Sequence, residues 1–560
     1  MRRVDDIAEK YMADMLAASP IRSTMMGISG QDHEFDDFSP SGFAAKADLD
    51  RAALTDLDAV EPVDERERIA KEAMRERLAL AVERYDAGDT ASNISVLFSP
   101  LHSMRMVFDQ MGNEGAENAA NVASRMEKLS AKLRDLAETL KGEAAAGHIS
   151  ARRQITEVAK QTDNWNGASG DDFFLNRIAR LTVDGKPLEG ALRNRLEEAA
   201  KQAKTGLSEF GAFLRDELAP VAPEKDAVGR EKYSRGSRTS LGSDIDLEEA
   251  YAWGWEELHR IETEMTRTAD RIKSGADVDE AIALLDADPD EVITDKNAFR
   301  DWMQELADAT IADMADTHFD IPEPIRRIEC MIAPTSDGTI YYTGPSEDFT
   351  RPGRMWWSVP PEQEKFSKWR EVTTVYHEGV PGHHLQIGQT AFRSELLNRF
   401  QRRGMMCSGH AEGWALYSER LMEELGYLEK PGNKLGMLDG QAFRATRVII
   451  DIGMHLELRI PKDNPFGFAP GQVWTPELGW DFLRAHCRMG EAFLRFELNR
   501  YLGWPGQAPS YKIGERIWLN AREEYKQRKG EAFNLKQFHT DALNLGPMGL
   551  DPFQDAMKRL

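Results

Sequence analysis

Apolar residues recur every three to four positions along most of this chain, with charged residues between them. "AKEAMRERLALAVERYDAG" places Ala70, Met74, Leu78, Leu80 and Val82 near one broad face, the signature of an amphipathic helix. The same period runs through "AANVASRMEKLSAKLRDLAETLKGE" and "GALRNRLEEAAKQAKTGLSEFGAFLRDEL", and glycine closes several such segments. The pattern fades over residues 219–244, where Pro, Gly and Ser collect, and this stretch reads as a connection. It divides the chain into an N-terminal helical region, 1–235, and a second helical region, 236–560. Asp244 or Asp246 is placed to cap the helix that opens the second region.

One segment departs from the helical period. Residues 327–361 carry short apolar and aromatic runs separated by Asp-Gly, Gly-Pro and Pro-Gly, which predict two or three strands. A further helix is predicted over "EQEKFSKWREVTTVYHEG", with Phe366, Trp369, Thr373 and Tyr376 along one stripe. The predicted fold class is therefore mainly α, with a small β-sheet preceding a helix that ends in His-Glu.

Charge and cysteine usage narrow the setting. Asp and Glu outnumber Lys and Arg by 95 to 71, a formal net charge of −24, which argues against a nucleic-acid partner. Cys330, Cys407 and Cys487 are far apart and form no C-x-x-C pair, so a disulfide framework is not expected. The opening "MRRVDDIAEKYMADML" lacks the apolar core of a signal peptide, and no long apolar run suggests a membrane span. A cytoplasmic location is the expectation.

Candidate chemistry centres on "TTVYHEGVPGHHLQIG", residues 373–388. His377-Glu378 opens like a metalloprotease H-E-x-x-H helix, but Pro381 stands where the second histidine would be. On a straight helix His383 lies about 600° round from His377, and His384 about 700° round and about 10.5 Å along the axis. Neither pair could share a zinc ion, whose imidazole bonds are about 2.0–2.1 Å. Pro381 and Gly382 remove the difficulty. Proline interrupts the helix and glycine tolerates positive φ, so the chain can bend and bring a later histidine back. This reasoning leaves His383 and His384 as equal candidates.

A third ligand is offered by "CSGHAEGWALYSERLMEELG", where Glu412, Leu416 and Glu419 share one helical face. Two histidines and a glutamate with one open position form a catalytic rather than a structural zinc set. The alternative is a satisfied cluster of core histidines.

"YHEGVPGHHLQ" and "EGWALYSERL" resemble the signature segments of a bacterial family, domain of unknown function number eight hundred and eighty-five. Its pattern is H-E-x-x-P-G-H-x-x-Q followed by E-G-W-A-x-Y-x-E. "DLEEAYAWGWEEL", "YYTGPSEDFTRPG", "RATRVIIDIGMH", "PGQAPSYKIG" and "FHTDALNLGPMGL" resemble further segments of it, spread over most of the chain. Pro509 departs from the pattern, which more often has an aliphatic residue there. The family in turn resembles gluzincin-type metallopeptidases in being a mostly helical body around a deep cleft, so the two regions are expected to form one continuous cleft-forming unit.

The resemblance implies His377, His383 and Glu412 as ligands of one Zn(II) per chain, with Glu378 as general base and His384 as alternative ligand or cleft lining. By resemblance to tyrosines of related peptidases, Tyr511 is the candidate oxyanion donor. A tyrosine merely packed at a helix start is the alternative.

Other groups could support such a site. Arg447, Asp451 and His455 fall on one helical face, either to orient a ligand or hold a substrate carboxylate, or as a structural ion-pair network. His410 and Glu419 are possible partners of the ligands, with core or solvated polar roles as the alternative. Tyr341 and Tyr342 could line an edge strand for a peptide backbone or be sheet core. "DADPDEVITDKN" fails as a calcium loop, with Glu291 at position six and Asn297 at position twelve. No Walker A, G-x-G-x-x-G or G-x-S-x-G element is present. The expected function is a zinc-dependent peptidase acting on short peptides. The alternatives are a zinc hydrolase of another amide or ester, and a non-catalytic peptide-binding protein of the same fold.

Overall fold

The computed structural model describes residues 3–170, 172–333, 340–361 and 363–560, and the fold is mainly helical. The chain divides into two units. The first comprises Met1–Pro62, Leu78–Arg235 and Arg495–Pro505, and the second Val63–Arg77, Gly236–Leu494 and Gly506–Leu560. Each unit is thus assembled from separated stretches of sequence.

In the first unit the long helix Ala116–Ala145 packs along Gly190–Phe213. Val122, Met126, Leu129, Leu133, Leu136 and Leu140 alternate steps of four and three, and all six are buried. Leu196, Ala200, Ala203 and Leu207 face them in one apolar core with Phe108 and Phe174.

The second unit is built around Pro431–Leu456, a helix buried on nearly every side from Leu435 to His455. It packs against Leu247–Ile272, Lys368–Glu378 and Pro476–His486. Asp246 caps the first of these by accepting from Glu249 N. Ser408–Glu424 lies along Ser510–Lys529. The two backbones meet so closely that a Cβ on Gly413 would stand 2.5 Å from the Gly514 carbonyl carbon.

The predicted sheet has three strands. Gly353–Trp357 is central, parallel to Ile328–Ile332 and antiparallel to Ile340–Thr343. The Asp337-Gly338 turn signal lies outside the described residues.

Two expectations need correction. The His-Glu helix starts only at Lys368, because Phe366–Ser367 pairs antiparallel with Val292–Ile293, and Phe366 stacks on Phe299 at 4.4 Å. Gly229–Leu241, inside the supposed connection, is a helix. Its buried positions, Tyr233, Ser237, Ser240 and Leu241, do follow the helical period, but two of them are serines. A search for apolar periodicity passes over such a face.

Candidate metal centre

The Lys368–Glu378 helix stops at Gly379 and the chain re-enters a helix at His383–Phe392. Between them Gly382 N donates to Tyr376 O (3.0 Å) and His384 N to Gly379 O (3.1 Å), folding the second helix back over the end of the first. Gly382 has φ −73°, so positive φ is not why glycine is needed. Space is the reason: a Cβ there would fall 1.9 Å from His377 O. Trp414 fastens the turn from outside, its indole Nε1 donating to Pro381 O (2.8 Å) and reaching Gly382 O (3.2 Å).

The bend brings the His377 and His383 rings to 4.9 Å between centroids, almost perpendicular. Glu412 Oε2 stands 3.3 Å from His377 Nε2 and 3.5 Å from His383 Nε2. One ligand atom from each of the three residues lies within 4.8 Å of the others. Ligands in a tetrahedron with bonds of about 2.0–2.1 Å sit about 3.3–3.4 Å apart, so the two measured separations suit a shared cation. His377 is the most enclosed of the three and Glu412, at 22% side-chain exposure, the least.

The surroundings are acidic and buried. Glu419, 1% exposed, bonds His377 Nδ1 through Oε1 (2.8 Å) and accepts from Thr373 Oγ1 through Oε2 (2.6 Å). Burial disfavours charge on His377, but Glu412 and Glu419 outweigh it and push its pKa up to about 10. Burial likewise opposes ionisation of Glu412, yet His383 and His377 hold it well below the usual carboxylate range. Glu378 differs. Burial raises its pKa despite the pull of His383 and His377, and its Oε2 has no hydrogen-bond partner among the described residues.

His384 faces away from this cluster. Its Nε2 donates to Ile325 O (2.8 Å) and its Nδ1 accepts from the Tyr342 hydroxyl (2.9 Å), and burial lowers its pKa to about 4. Reaching the three donors would cost it both bonds. Gly353 makes this packing possible, since a Cβ there would stand 2.0 Å from Tyr342 Oη. Tyr342 thus braces a histidine, while Tyr341, 38% exposed, stacks on Trp356.

His410 is enclosed by Trp518 and Phe553 and accepts at Nδ1 from Gln386 Nε2 (3.3 Å), burial lowering its pKa to about 3. It is a neutral core histidine. Arg447 lies over the rings of Phe443 (4.0 Å) and Tyr511 (4.9 Å). Asp451 accepts from Gly506 N (2.9 Å), and His455 Nε2 is 3.9 Å from Asp451 Oδ1. Arg447, Asp451 and His455 are all buried, and one of the rings under the Arg447 guanidinium is Tyr511, at the start of Ser510–Lys529.

A model of the family described as "Bacterial protein of unknown function (DUF885)" matches residues 20–557. The chain belongs to this family. Two solved structures share the fold of this DUF885 protein. One, described as a "putative lipoprotein from Colwellia psychrerythraea", superposes with a TM-score of 0.83 at 21% identity, over 99% of this chain and 98% of the other. The second, described as a "putative lipoprotein of unknown function from Shewanella oneidensis", gives 0.72 at 18% identity, over 99% of both chains. No curated protein matches. Among the described residues of the DUF885 chain, no helix is long and apolar enough to cross a membrane.

Sequence reasoning missed the working parts between the motifs. Thr373, one turn before His377, shares Glu419 with it, a spacing visible in "TTVYHE". Trp414, two residues after Glu412, clamps the Pro-Gly turn. Gly353 had no legible signal, because its neighbours Tyr342 and His384 come from elsewhere in the chain.

Proposed function

We propose that this DUF885 protein is a zinc-dependent hydrolase whose substrates are short peptides. The observation that carries the reading is the donor trio His377, His383 and Glu412 at ligand–ligand spacing, beside a buried Glu378 carboxylate with an unpartnered oxygen. The donor set suits the ion. Buried acceptor atoms of Glu412 and Glu378 lack hydrogen-bond donors, which a cation would compensate.

A zinc ion held by these three residues would supply a Lewis acid and a water of lowered pKa. The protein's own groups do the rest. Glu419 fixes the His377 ring so that Nε2 faces Glu412. Glu378, adjacent to His377 and with its pKa raised by burial, takes a proton from the attacking water and returns it to the leaving amine. Tyr511 donates to the developing oxyanion, its ring steadied by the Arg447 guanidinium.

Both solved relatives are described as lipoproteins, and that wording points away from the cytoplasmic location expected from the opening residues. Fractionation of cells expressing the chain decides between the two.

The test combines metal analysis with a peptide library. About one zinc per chain is expected in the wild type and in Glu378→Gln, with hydrolysis falling about 10²- to 10⁴-fold in the variant. Full activity in Glu378→Gln on every substrate cleaved by the wild type would overturn the mechanism. Hydrolysis of esters or non-peptide amides alone would keep the chemistry and change the substrate.

A further inference from the structure

A cavity of about 560 Å³ runs along one face of the helix Leu247–Ile272. Arg260, Glu264, Arg267 and Arg271 line it at steps of four, three and four, so they lie above one another on that face. Lys434 contributes from the neighbouring helix Pro431–Leu456, and Glu256 lies at the far end of the row. None of these residues belongs to the donor trio. In a chain of formal net charge −24, four of the six are cations.

The carboxylates near these cations are already spent. Glu264 Oε1 meets Lys434 Nζ at 2.8 Å, and its Oε2 meets Arg260 Nη1 at 3.1 Å, with Arg420 Nη1 at 3.7 Å. Arg260 also forks onto Glu257, and Lys434 onto Glu423 (2.5 Å). Arg267 and Arg271 are left over. Both are exposed, and neither has a hydrogen-bond or ion-pair partner among the described residues. Glu264, one turn before Arg267, is surrounded by the three other cations. Asp270 accepts from Gly275 N through Oδ1 (2.8 Å). Glu256 is about 16 Å along the helix axis from Arg267, beyond a screening length of about 8 Å.

Arg267 and Arg271 stand at i, i+4, where like charges repel. A single solvated arginine needs no ligand. Two unpaired ones on one face, lining a cavity within the size range of ligand pockets, are placed to share an anion.

We propose that this cavity binds a small phosphate-bearing molecule, with the phosphate held by Arg267 and Arg271 and the rest lying toward Arg260 and Lys434. A dianion matches the two unpaired charges, and paired guanidinium forks suit the several oxygens of a phosphate. The volume leaves room beside the phosphate for an organic part. The inference adds a second site to the chain and does not depend on the zinc-hydrolase reading.

The experiment is calorimetric titration of the full chain with glycerol 3-phosphate, inorganic phosphate and succinate, in chloride buffer of physiological ionic strength. One phosphate ester per chain is expected, with affinity about 10- to 100-fold weaker in Arg267→Gln and in Arg271→Gln and partly restored in Arg267→Lys. Arg300→Gln, which removes an exposed arginine paired with Asp301 on the helix Lys296–Met314, should leave binding unchanged. So should His383→Ala, whereas phosphate taken up by a metal ion would be lost there. Unchanged melting temperatures without ligand show that the variants fold.

Tighter binding of the ester assigns a phosphorylated metabolite, and equal binding of inorganic phosphate assigns the free ion. Both support the proposal. It is overturned if neither phosphate binds saturably at millimolar concentration, or if succinate binds as tightly as the ester. Binding indifferent to both Arg→Gln variants, or lost in His383→Ala, overturns it equally.

Discussion

Two buried polar clusters in the second unit have similar acceptors and opposite bookkeeping of charge. Around Lys512, itself 2% exposed, stand Glu515, Gln441 and Glu257, the last at 3.0 Å. Burial opposes ionisation of Glu257, yet Arg260 and Lys512 bring its pKa down to about 2. That cluster carries its own cation. Around His377 the acceptors Glu412, Glu378 and Glu419 converge with two imidazoles in place of an ammonium. A cluster with an internal ammonium is a structural network. One whose buried acceptors converge on two imidazoles, groups that take up either a proton or a metal ion, is arranged so that a cation from outside can replace the proton.

The largest effects should separate the two clusters cleanly. His383→Ala is expected to abolish zinc binding while leaving the metal-free protein's melting temperature nearly unchanged. Lys512→Met should do the reverse: zinc content stays at about one per chain, and stability falls by about 3–5 kcal/mol because Glu257 and Glu515 lose their shared partner. Metal analysis and denaturation of both variants check this pair. Loss of zinc in Lys512→Met would collapse the distinction.

Next in size is Glu419. It bonds His377 without belonging to the donor trio, so Glu419→Gln should lower zinc affinity about 10- to 100-fold, measured by competition with a chelator. The same contact predicts opposing pH trends. In metal-free protein the pKa of His377 is raised to about 10 above its ordinary 6.5, so the folded form holds the proton more tightly. That stabilisation is complete below about pH 6.5 and is lost as pH rises through about 10. Zinc needs the same nitrogen deprotonated, so zinc affinity should rise over the range where metal-free stability falls. Melting curves with and without chelator across this window test both slopes, and Glu419→Gln should start the metal-free loss at lower pH.

How much of this was legible in the sequence depends on how locally each feature is encoded. The helices with unbroken apolar period, such as Ala116–Ala145, could be read directly, because burial there repeats every three to four residues. Gly229–Leu241 could not, since serines occupy its buried face. The candidate site was partly legible. His377, Glu378, Pro381 and Gly382 announce a bent motif within six residues, and Glu412 and Glu419 announce an acidic helix face. Spacing left His383 and His384 equal, because the difference lies in Ile325 and Tyr342, which hold His384 from distant parts of the chain.

The smallest expected effect concerns Trp414, and it sharpens the comparison from the backbone side. The Lys512 cluster sits on continuous helices, whereas the His377 cluster depends on a bend whose carbonyls at Pro381 and Gly382 are held by one indole N–H. Trp414→Phe keeps most of the ring's contacts with Tyr417 and Trp518 and removes that donor. Stability should fall by about 1–3 kcal/mol, the cost of leaving a buried carbonyl unpaired. Zinc should still bind, but with weaker affinity, because His383 follows the loosened turn directly while His377 precedes it. If the variant loses stability with its zinc affinity intact, the turn is held by Gly382 and Gly379 alone and the indole is only a packing group. If affinity drops while stability is kept, the bend itself sets the spacing between His377 and His383, and the metal geometry resides in the backbone.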